Sequence, residues 1–295
     1  MSFGYQELTI SGSVEGHEGT IEFIRNLKTF MLDIGWTLTE DRTDQPGSSD
    51  GDTRLVMQSN GEAGEYPTFY MVVVSGSSAT PASNFTWFQL STAYDTGNHE
   101  VPASGVATEN FPSGHGFLNT RSQEDYAVWM SGDSEALAIV TRQSPTTYDS
   151  ILIGRANSFM STADNPFPLY YISRNTAVIL TVDAGTYMRG IGGNPPQFFG
   201  SADMVSYAYP IASANQPYQL GSAESIYFAS PIIMAYRDIS PLRKGVIGTV
   251  GSGWHGVGTS TGLYKEGRLT ASGTSGVQTY RVFPTTSYSL IMRET

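Results

Sequence analysis

The chain has 295 residues, a formal net charge of −11 and no cysteine, and it is long enough to bury a core without covalent cross-links. The lack of cysteine excludes disulfides, thiolate catalysis and every metal or iron–sulfur site that needs a cysteine ligand. The acidic net charge argues against a nucleic-acid partner bound through its phosphates. Charged residues make up only 15% of the chain and glycine numbers 32, a composition that indicates a glycine-rich β protein.

Neither an export signal nor a membrane span is predicted. Met1–Ile10 lacks a basic segment followed by an apolar one. The apolar runs Met71–Val74 and Ala177–Leu180 are far shorter than the roughly 20 residues that cross a bilayer. We therefore expect a chain made in the cytoplasm, with no membrane partner.

One amphipathic helix is predicted over Thr20–Ile34. Apolar side chains recur there at helical spacing: Ile21, Ile24, Leu27, Met31 and Ile34. Thr20 is placed to cap the start, and Gly35 to end the helix in the left-handed conformation. Phe23 and Phe30 lie outside the apolar stripe, so we expect the helix to pack on more than one side, or one of these rings to contact a partner.

Most of the remaining chain predicts strands separated by turns such as Asn60-Gly61 and Ser131–Ser134. The predicted strands are Thr53–Ser59, Thr68–Ser75, Asn84–Leu90, Tyr126–Met130, Ala136–Arg142, Tyr148–Gly154, Pro168–Ser173, Ala177–Val182, Ser225–Phe228, Ile232–Tyr236, Val246–Val250, Val277–Phe283 and Ser287–Arg293. Short strands with this spacing predict a mainly β fold, an antiparallel β-sandwich or barrel with one N-terminal amphipathic helix.

The domain boundary is predicted between Ala156 and Phe167, where the chain is polar and then stiffened by prolines. This divides the chain into a helix-plus-antiparallel-β domain, 1–156, and a second β-rich domain, 166–295. The alternative is one continuous domain with a long excursion at Gly185–Gln219.

Three glycine-containing segments match functional motifs only in form. Gly251–Gly256 fits G-x-G-x-x-G, but a poor helix start follows it, and pyrophosphate binding needs a helix N-terminus there. Gly47–Gly51 and Gly258–Gly262 fit G-x-S-x-G, but neither lies between a buried strand and a helix. We expect turns in these segments, no nucleotide or other cofactor, and no catalytic residue.

The histidines are far apart in sequence and form no metal-binding motif: His17, His99, His115 and His255. We interpret His115 and His255 as loop residues and predict no metal site from them. Asp44, Asp50 and Asp52 supply oxygen ligands of the kind that Ca²⁺ prefers, but they lack the register of the twelve-residue calcium loop. Whether this acidic loop binds calcium is left open.

The excursion Gly185–Gln219 is rich in aromatic side chains and poor in charge: Tyr187, Phe198, Phe199, Tyr207, Tyr209 and Tyr218. Tyrosine is favoured at interfaces, being large, rigid and amphipathic. This segment folds back on its own core, contacts another subunit or binds sugar, and it is our first candidate for a subunit contact.

A series of segments follows the helix in a recognisable order: Ile34–Leu38, Arg54–Gly61, Tyr126–Asp133, Leu137–Val140, Tyr148–Ser150, Gly154, Asn165–Tyr170, Val277–Phe283 and Tyr288–Arg293. This order resembles a group of virion structural proteins of tailed bacteriophages, most clearly at Tyr126–Asp133. One departure is the acidic turn Asp133–Glu135, where such proteins often carry basic residues. If this turn meets a partner, its charge preference differs here.

The resemblance implies a component of the virion neck, collar, tail or baseplate, without catalytic residues, cofactor or small-molecule substrate. We therefore expect a homo-oligomeric structural protein that acts in assembly, whose partners are copies of itself and neighbouring virion proteins. It would be made in the host cytoplasm and located in the neck or tail of the virion. The alternative is a carbohydrate- or receptor-binding β-sandwich of a tail fibre or depolymerase, with surface aromatics beside carboxylates.

Overall fold

A computed structural model describes residues 3–12, 17–43, 54–61, 66–75, 85–102, 117–119, 125–144, 147–158, 169–173, 176–180, 204–209, 230–231, 233–238, 244–250, 254–257, 266–273, 276–284 and 289–295. The elements of this described part are, in chain order, β1 (Gly4–Ile10), α1 (His17–Asp33), β2 (Thr37–Asp41), β3 (Arg54–Gln58), β4 (Tyr70–Ser75), β5 (Phe85–Ser91), β6 (Phe117–Asn119), β7 (Tyr126–Gly132), β8 (Ala136–Ser144), β9 (Thr147–Ser158), β10 (Leu169–Ser173), β11 (Thr176–Leu180), β12 (Met204–Tyr209), β13 (Ser230–Pro231), β14 (Ile233–Asp238), β15 (Lys244–Val250), β16 (Trp254–Val257), β17 (Arg268–Gly273), β18 (Gly276–Pro284) and β19 (Ser289–Arg293).

The strands form three antiparallel sheets. The central sheet has the order β1-β7-β8-β9-β15-β14-β12, with β10 paired to β9 and β11. The N-terminal sheet runs β2-β3-β4-β5-β6, and the C-terminal sheet runs β13-β16-β19-β18-β17. The predicted mainly β fold with one N-terminal helix is confirmed, but within the described residues the sheets are open and close into no barrel.

The strands that the sequence missed lie mostly at sheet edges. Ser225–Phe228 lies outside the described residues, and each other predicted strand coincides with an observed one. The additional strands are β1, β2, β6, β12, β13, β16 and β17, and all but β16 end a sheet. An edge strand pairs on one side only and carries polar residues or stays short, so its apolar alternation is weak.

The sheet pairing continues across the predicted domain boundary. Strand β10 pairs with the second half of β9, from Leu169 opposite Arg155 to Ser173 opposite Ile151. Strand β15 pairs with the end of β9 through Val250 opposite Ala156. The division into two domains stays a prediction.

The helix begins at His17, so the prediction that Thr20 caps it is wrong. Thr20 lies within the helix and is buried. The first turn packs through Gly19, whose carbonyl accepts a hydrogen bond from the Tyr126 hydroxyl at 3.3 Å. Gly19 contributes no apolar side chain, so the apolar pattern predicts a helix that begins one turn after the observed start.

The end of the helix is the predicted one. Gly35 has φ +101°, and its N–H donates to the Leu32 carbonyl at 3.1 Å. The N–H of Trp36 donates to the Met31 carbonyl at 2.9 Å. These two bonds form a Schellman motif, in which glycine accepts the left-handed conformation at little cost.

The helix packs against two sheets, as its extra aromatic residues predicted. It contacts β1 of the central sheet and β2, β3 and β4 of the N-terminal sheet. Phe23 and Phe30 are both buried. One apolar core joins the helix to both sheets: Ile10, Phe23, Ile24, Leu27, Phe30, Met31, Ile34, Trp36, Leu55, Met57, Phe69, Met71, Val73, Phe88, Leu90, Tyr126, Val128, Met130, Leu137, Ile139, Ile151, Ile153 and Leu169.

A buried ion pair links the two sheets beside this core. The Arg155 Nε of β9 donates to Glu135 Oε2 at 2.7 Å, and another nitrogen of the guanidinium donates to the Pro67 carbonyl in the segment before β4. The guanidinium also lies over the rings of Tyr66 and Phe69, 5.0 and 5.3 Å from their centroids. Burial raises the pKa of the Glu135 carboxyl, and Arg155 opposes that shift.

The acidic turn Asp133–Glu135 is buried within the chain, so it presents no free surface to a partner. Asp133 Oδ1 accepts the backbone N–H groups of Glu135 and Ala136 at 2.9 and 3.0 Å. The Asp133 carbonyl accepts the indole N–H of Trp36 at 2.8 Å. The two carboxylates of this turn therefore accept hydrogen bonds: Asp133 from backbone N–H groups of the turn, and Glu135 from Arg155.

Replacing Glu135 with Gln should destabilise the fold by about 3 kcal/mol, because Arg155 would keep a buried charge without its carboxylate. Urea unfolding measures the loss. The matched control is Asp41→Asn, which breaks the partly exposed pair with Lys28 and should cost less than about 1 kcal/mol. Equal losses in the two variants would contradict this assignment.

Replacing Gly154 with Ala should cost about 3 kcal/mol or more, because a strained backbone and overpacking add together. Gly154 has φ +144°, and a Cβ there would lie 2.3 Å from the Glu135 carbonyl oxygen. Gly276 has φ +96° and open space around it. Gly276→Ala should therefore cost only about 1 kcal/mol, and thermal unfolding of the two variants compares them.

Candidate functional site

The histidines are placed apart by the fold. His17 begins α1, and His99 lies in the turn after β5 with φ +56°. His255 is in β16, opposite Ile291 of β19, so its interpretation as a loop residue is wrong. The strand was missed because its four residues, which include a glycine, are too few to show alternation. His115 lies outside the described residues, within which no three His, Asp or Glu side chains group to hold a metal ion.

Several predicted segments cannot be placed on the fold. The acidic residues Asp44, Asp50 and Asp52 and the two G-x-S-x-G segments lie outside the described residues. In the excursion Gly185–Gln219, the described part is β12, which pairs with β14. In the G-x-G-x-x-G segment, the described part belongs to β16. The Trp254–Val257 segment is therefore a strand and not the helix start that a nucleotide loop requires.

The first cluster with possible chemistry lies on the outer face of the N-terminal sheet. The register of β2 against β3 shifts between Leu38 and Glu40. After the shift, Glu40 lies opposite Val56 and Asp41 lies opposite Leu55. These two neighbouring acidic residues therefore lie on different faces of the sheet. Glu40 Oε2 accepts the Tyr94 hydroxyl at 2.8 Å.

The same carboxylate also contacts a histidine. Glu40 Oε1 lies 3.1 Å from His99 Nδ1, and Arg54 donates to the His99 carbonyl. Glu40 therefore accepts a hydrogen bond from Tyr94 of this turn and lies close to its His99.

This cluster holds a turn over an apolar patch. Tyr94 and Val101 pack on Val56, Val72 and Val74, and Asp95 and Glu100 exchange backbone hydrogen bonds of 2.8 and 3.2 Å. Burial, reinforced by the bond to Glu40, raises the pKa of Tyr94 to about 12. The hydroxyl is therefore protonated at neutral pH and donates to Glu40, which favours a structural role for this contact.

The second cluster is the junction between the outer face of the central sheet and the C-terminal sheet. Its centre is aromatic. Trp129 of β7 and Phe283 of β18 have ring centroids 4.9 Å apart, and Tyr148 of β9 lies 6.1 Å from Phe283. All three side chains are buried, at 1%, 0% and 5% exposure, and they occupy the face of the central sheet opposite the helix.

Charged side chains surround one side of this aromatic centre. Arg142 of β8 pairs with Glu266, which also accepts the Tyr148 hydroxyl at 2.7 Å. The Arg142 guanidinium lies 5.6 Å from the centroid of the Trp129 ring. Burial and the bond to Glu266 raise the pKa of Tyr148 to about 12, so Tyr148 is a neutral donor in this network.

The other side of the junction is held through Arg281. Its guanidinium donates to Glu7 Oε2 of β1 and to Glu294 Oε1, both at 2.8 Å. Burial opposes the charge, but the bond to Glu294 and the charge of Glu7 hold the pKa of Arg281 above its ordinary value. Ser131 Oγ adds a bond to the Arg293 carbonyl at 2.7 Å.

The residue composition of the junction resembles that of a protein–protein interface. Such interfaces have an aromatic and arginine-rich centre with a polar rim. The sequence predicts the strands that carry Trp129 and Tyr148, and both side chains are buried. It gave no signal for Glu7, Glu266 and Arg281, because these partners lie far apart in the chain.

Comparison with known proteins adds no family to this description. No protein-family model matches the sequence, and no curated protein sequence matches it. Within the described residues, no helix has the length and apolarity needed to cross a bilayer.

Replacing Tyr94 with Phe should loosen the turn while keeping the ring on its apolar patch. Loss of the bond to Glu40, worth about 1 kcal/mol, should raise the hydrogen-exchange rates of the Asp95 and Glu100 amides about fivefold. Tyr70→Phe is the matched control, since that hydroxyl accepts from Gln58 on the same sheet. Unchanged exchange in Tyr94→Phe would show that the turn does not depend on this bond.

Proposed function

We propose that this chain is a structural component of a tailed-phage virion, which self-associates and docks on neighbouring neck or tail proteins. The observation that supports this most directly is the openness of the three sheets. Among the described residues, the strands that pair on one side only are β1, β2, β6, β11, β12, β13 and β17. A terminal strand presents unpaired backbone N–H and C=O groups that can pair with a strand of another chain.

The open edges differ in how well they suit such a contact. Strand β2 has a register shift and ends in Glu40 and Asp41, features that protect an edge from pairing. Strands β6 and β13 have three and two residues, too few for a stable ladder. Strand β1 has seven residues and one charged side chain, Glu7, and β12 and β17 have six residues each, so these three edges are long enough for docking. Repeated contacts of this kind are what a symmetric assembly requires.

The carbohydrate-binding alternative needs rings that face solvent beside carboxylates. One group in the described part that combines rings with a carboxylate is Trp129, Tyr148 and Glu266. Both rings are buried there, and Phe283 covers them. A sugar would have no ring face on which to stack, so this group favours the structural role.

Immunogold electron microscopy on intact virions of the phage that encodes this chain tests the proposal. Antibodies against the chain should label the neck or tail at a regular position. Label at a fibre tip would support receptor binding instead. Particles without label, from a lysate in which the antibody detects the chain, would contradict a virion role.

A further inference from the structure

The C-terminal sheet ends in β17, a strand whose outer edge is open. Strand β17 pairs with β18 along its whole length and without a register shift, and among the described strands it has no second neighbour. Such an edge lacks the bulge that would protect it from pairing with another chain. It carries one charged side chain, Arg268, whose Nε donates to Glu294 Oε2 at 2.9 Å. The edge therefore presents a regular backbone with its single charge already paired.

The hydrogen bonds of the sheet show which residues of β17 face outward. The Thr279 carbonyl of β18 accepts the N–H of Glu294 at 2.7 Å, so the backbone groups of Thr279 point toward β19. In an antiparallel sheet, successive residues of a strand bond alternately to one neighbour and to the other. Thr270 lies opposite Thr279 and therefore directs its N–H and C=O toward the open edge, as do Arg268 and Ser272.

The hairpin of β17 and β18 extends past the central sheet at its turn. Phe283 packs on Trp129 of the central sheet, and Val277 lies on the same face of β18 by the alternation of side chains. Val277 is nevertheless 66% exposed, and the space around Gly276 is open. Within the described part, the turn end of this hairpin therefore projects beyond the layer beneath it, where another chain can reach it.

We propose that β17 pairs with β17 of a second copy, antiparallel about a two-fold axis at Thr270. The inference rests on the proposed self-association and names the strand that carries it. The pairing joins the C-terminal sheets of two copies into one continuous sheet, in which each outward N–H of one strand meets an outward C=O of the other. Closed two-fold contacts of this kind are the commonest form of self-association.

A second copy fits this edge because β17 is complementary to itself. The two-fold axis places Thr270 opposite Thr270 of the second copy, and Arg268 opposite Ser272. Threonine pairs stabilise antiparallel strands, and no like charges face each other across the axis. The open strand β1 lacks this property, because its middle residue is Glu7 and the same symmetry would set two carboxylates opposite each other.

Proline substitution tests the pairing, because proline removes an outward N–H and places a ring at the edge. Thr270→Pro should lower the association constant of the dimer at least about tenfold, while the ladder to β18 remains. A single short ladder buries little surface, so we expect a weak dimer. Sedimentation equilibrium up to millimolar concentration measures the association constant, and circular dichroism checks that the variant is folded.

The matched control is Thr9→Pro on the open edge of β1. The Asp133 N–H donates to the Ala136 carbonyl at 3.0 Å, so alternation along β7 directs the N–H of Thr9, opposite Ala127, toward the open edge. Thr9→Pro should leave the association constant unchanged. A monomeric wild type at millimolar concentration, or an equal loss in both variants, would overturn the pairing through β17.

Single cysteines locate the contact without proline, because the chain has no cysteine of its own. Thr270→Cys places two thiols across the axis with Cα atoms about 5.5 Å apart, a separation that a disulfide spans. Ser272→Cys is the matched control, since its two thiols would lie about 13 Å apart along the paired strands. Mild oxidation should cross-link Thr270→Cys and leave Ser272→Cys monomeric. Equal cross-linking of the two variants, or none in Thr270→Cys, would overturn the proposed pairing.

These outcomes are separable from those of immunogold labelling. Labelled particles of a chain whose β17 does not pair would leave the virion role standing and remove this contact. Pairing through β17 without any label on particles would leave the self-contact standing and remove the virion role.

Discussion

Arg155 is a buried cation that the chain can accommodate in only one arrangement of its layers. Its guanidinium needs the Glu135 carboxylate, the Pro67 carbonyl and the rings of Tyr66 and Phe69, because a buried charge without partners is very costly. Glu135 lies in the turn between β7 and β8 of the central sheet, and the other partners lie in the segment before β4 of the N-terminal sheet. One side chain therefore fixes the relative position of two sheets that their apolar faces alone would hold with less specificity.

The helix end depends on the same turn. The Schellman motif at Gly35 directs Trp36 toward the central sheet, where its indole N–H meets the Asp133 carbonyl. Gly154 has a conformation that lets β9 approach the Glu135 carbonyl closely. Helix, turn and strand thus meet at one buried site. The acidic residues there belong to the interior, although in the sequence they resemble an exposed turn that could meet a partner.

The central sheet separates two kinds of contact. Its inner face packs on a continuous apolar core, whereas its outer face contacts the C-terminal sheet through three rings and the ion pairs beside them. The outer contact nonetheless has a buried centre, since Trp129 and Phe283 are 1% and 0% exposed.

The amino-acid sequence by itself determined the helix, its glycine end and the interior strands other than β16. Apolar side chains repeat with period 3.6 or 2 wherever an element is buried, and this signal is local. It was weak at β1, β2 and β17, because an edge strand buries less and can be polar. Only the tertiary structure decided the ion pairs of the junction, since Glu7 and Arg281 are separated by 274 positions. Charge pairing depends on distance in space, and no periodicity along the chain records it.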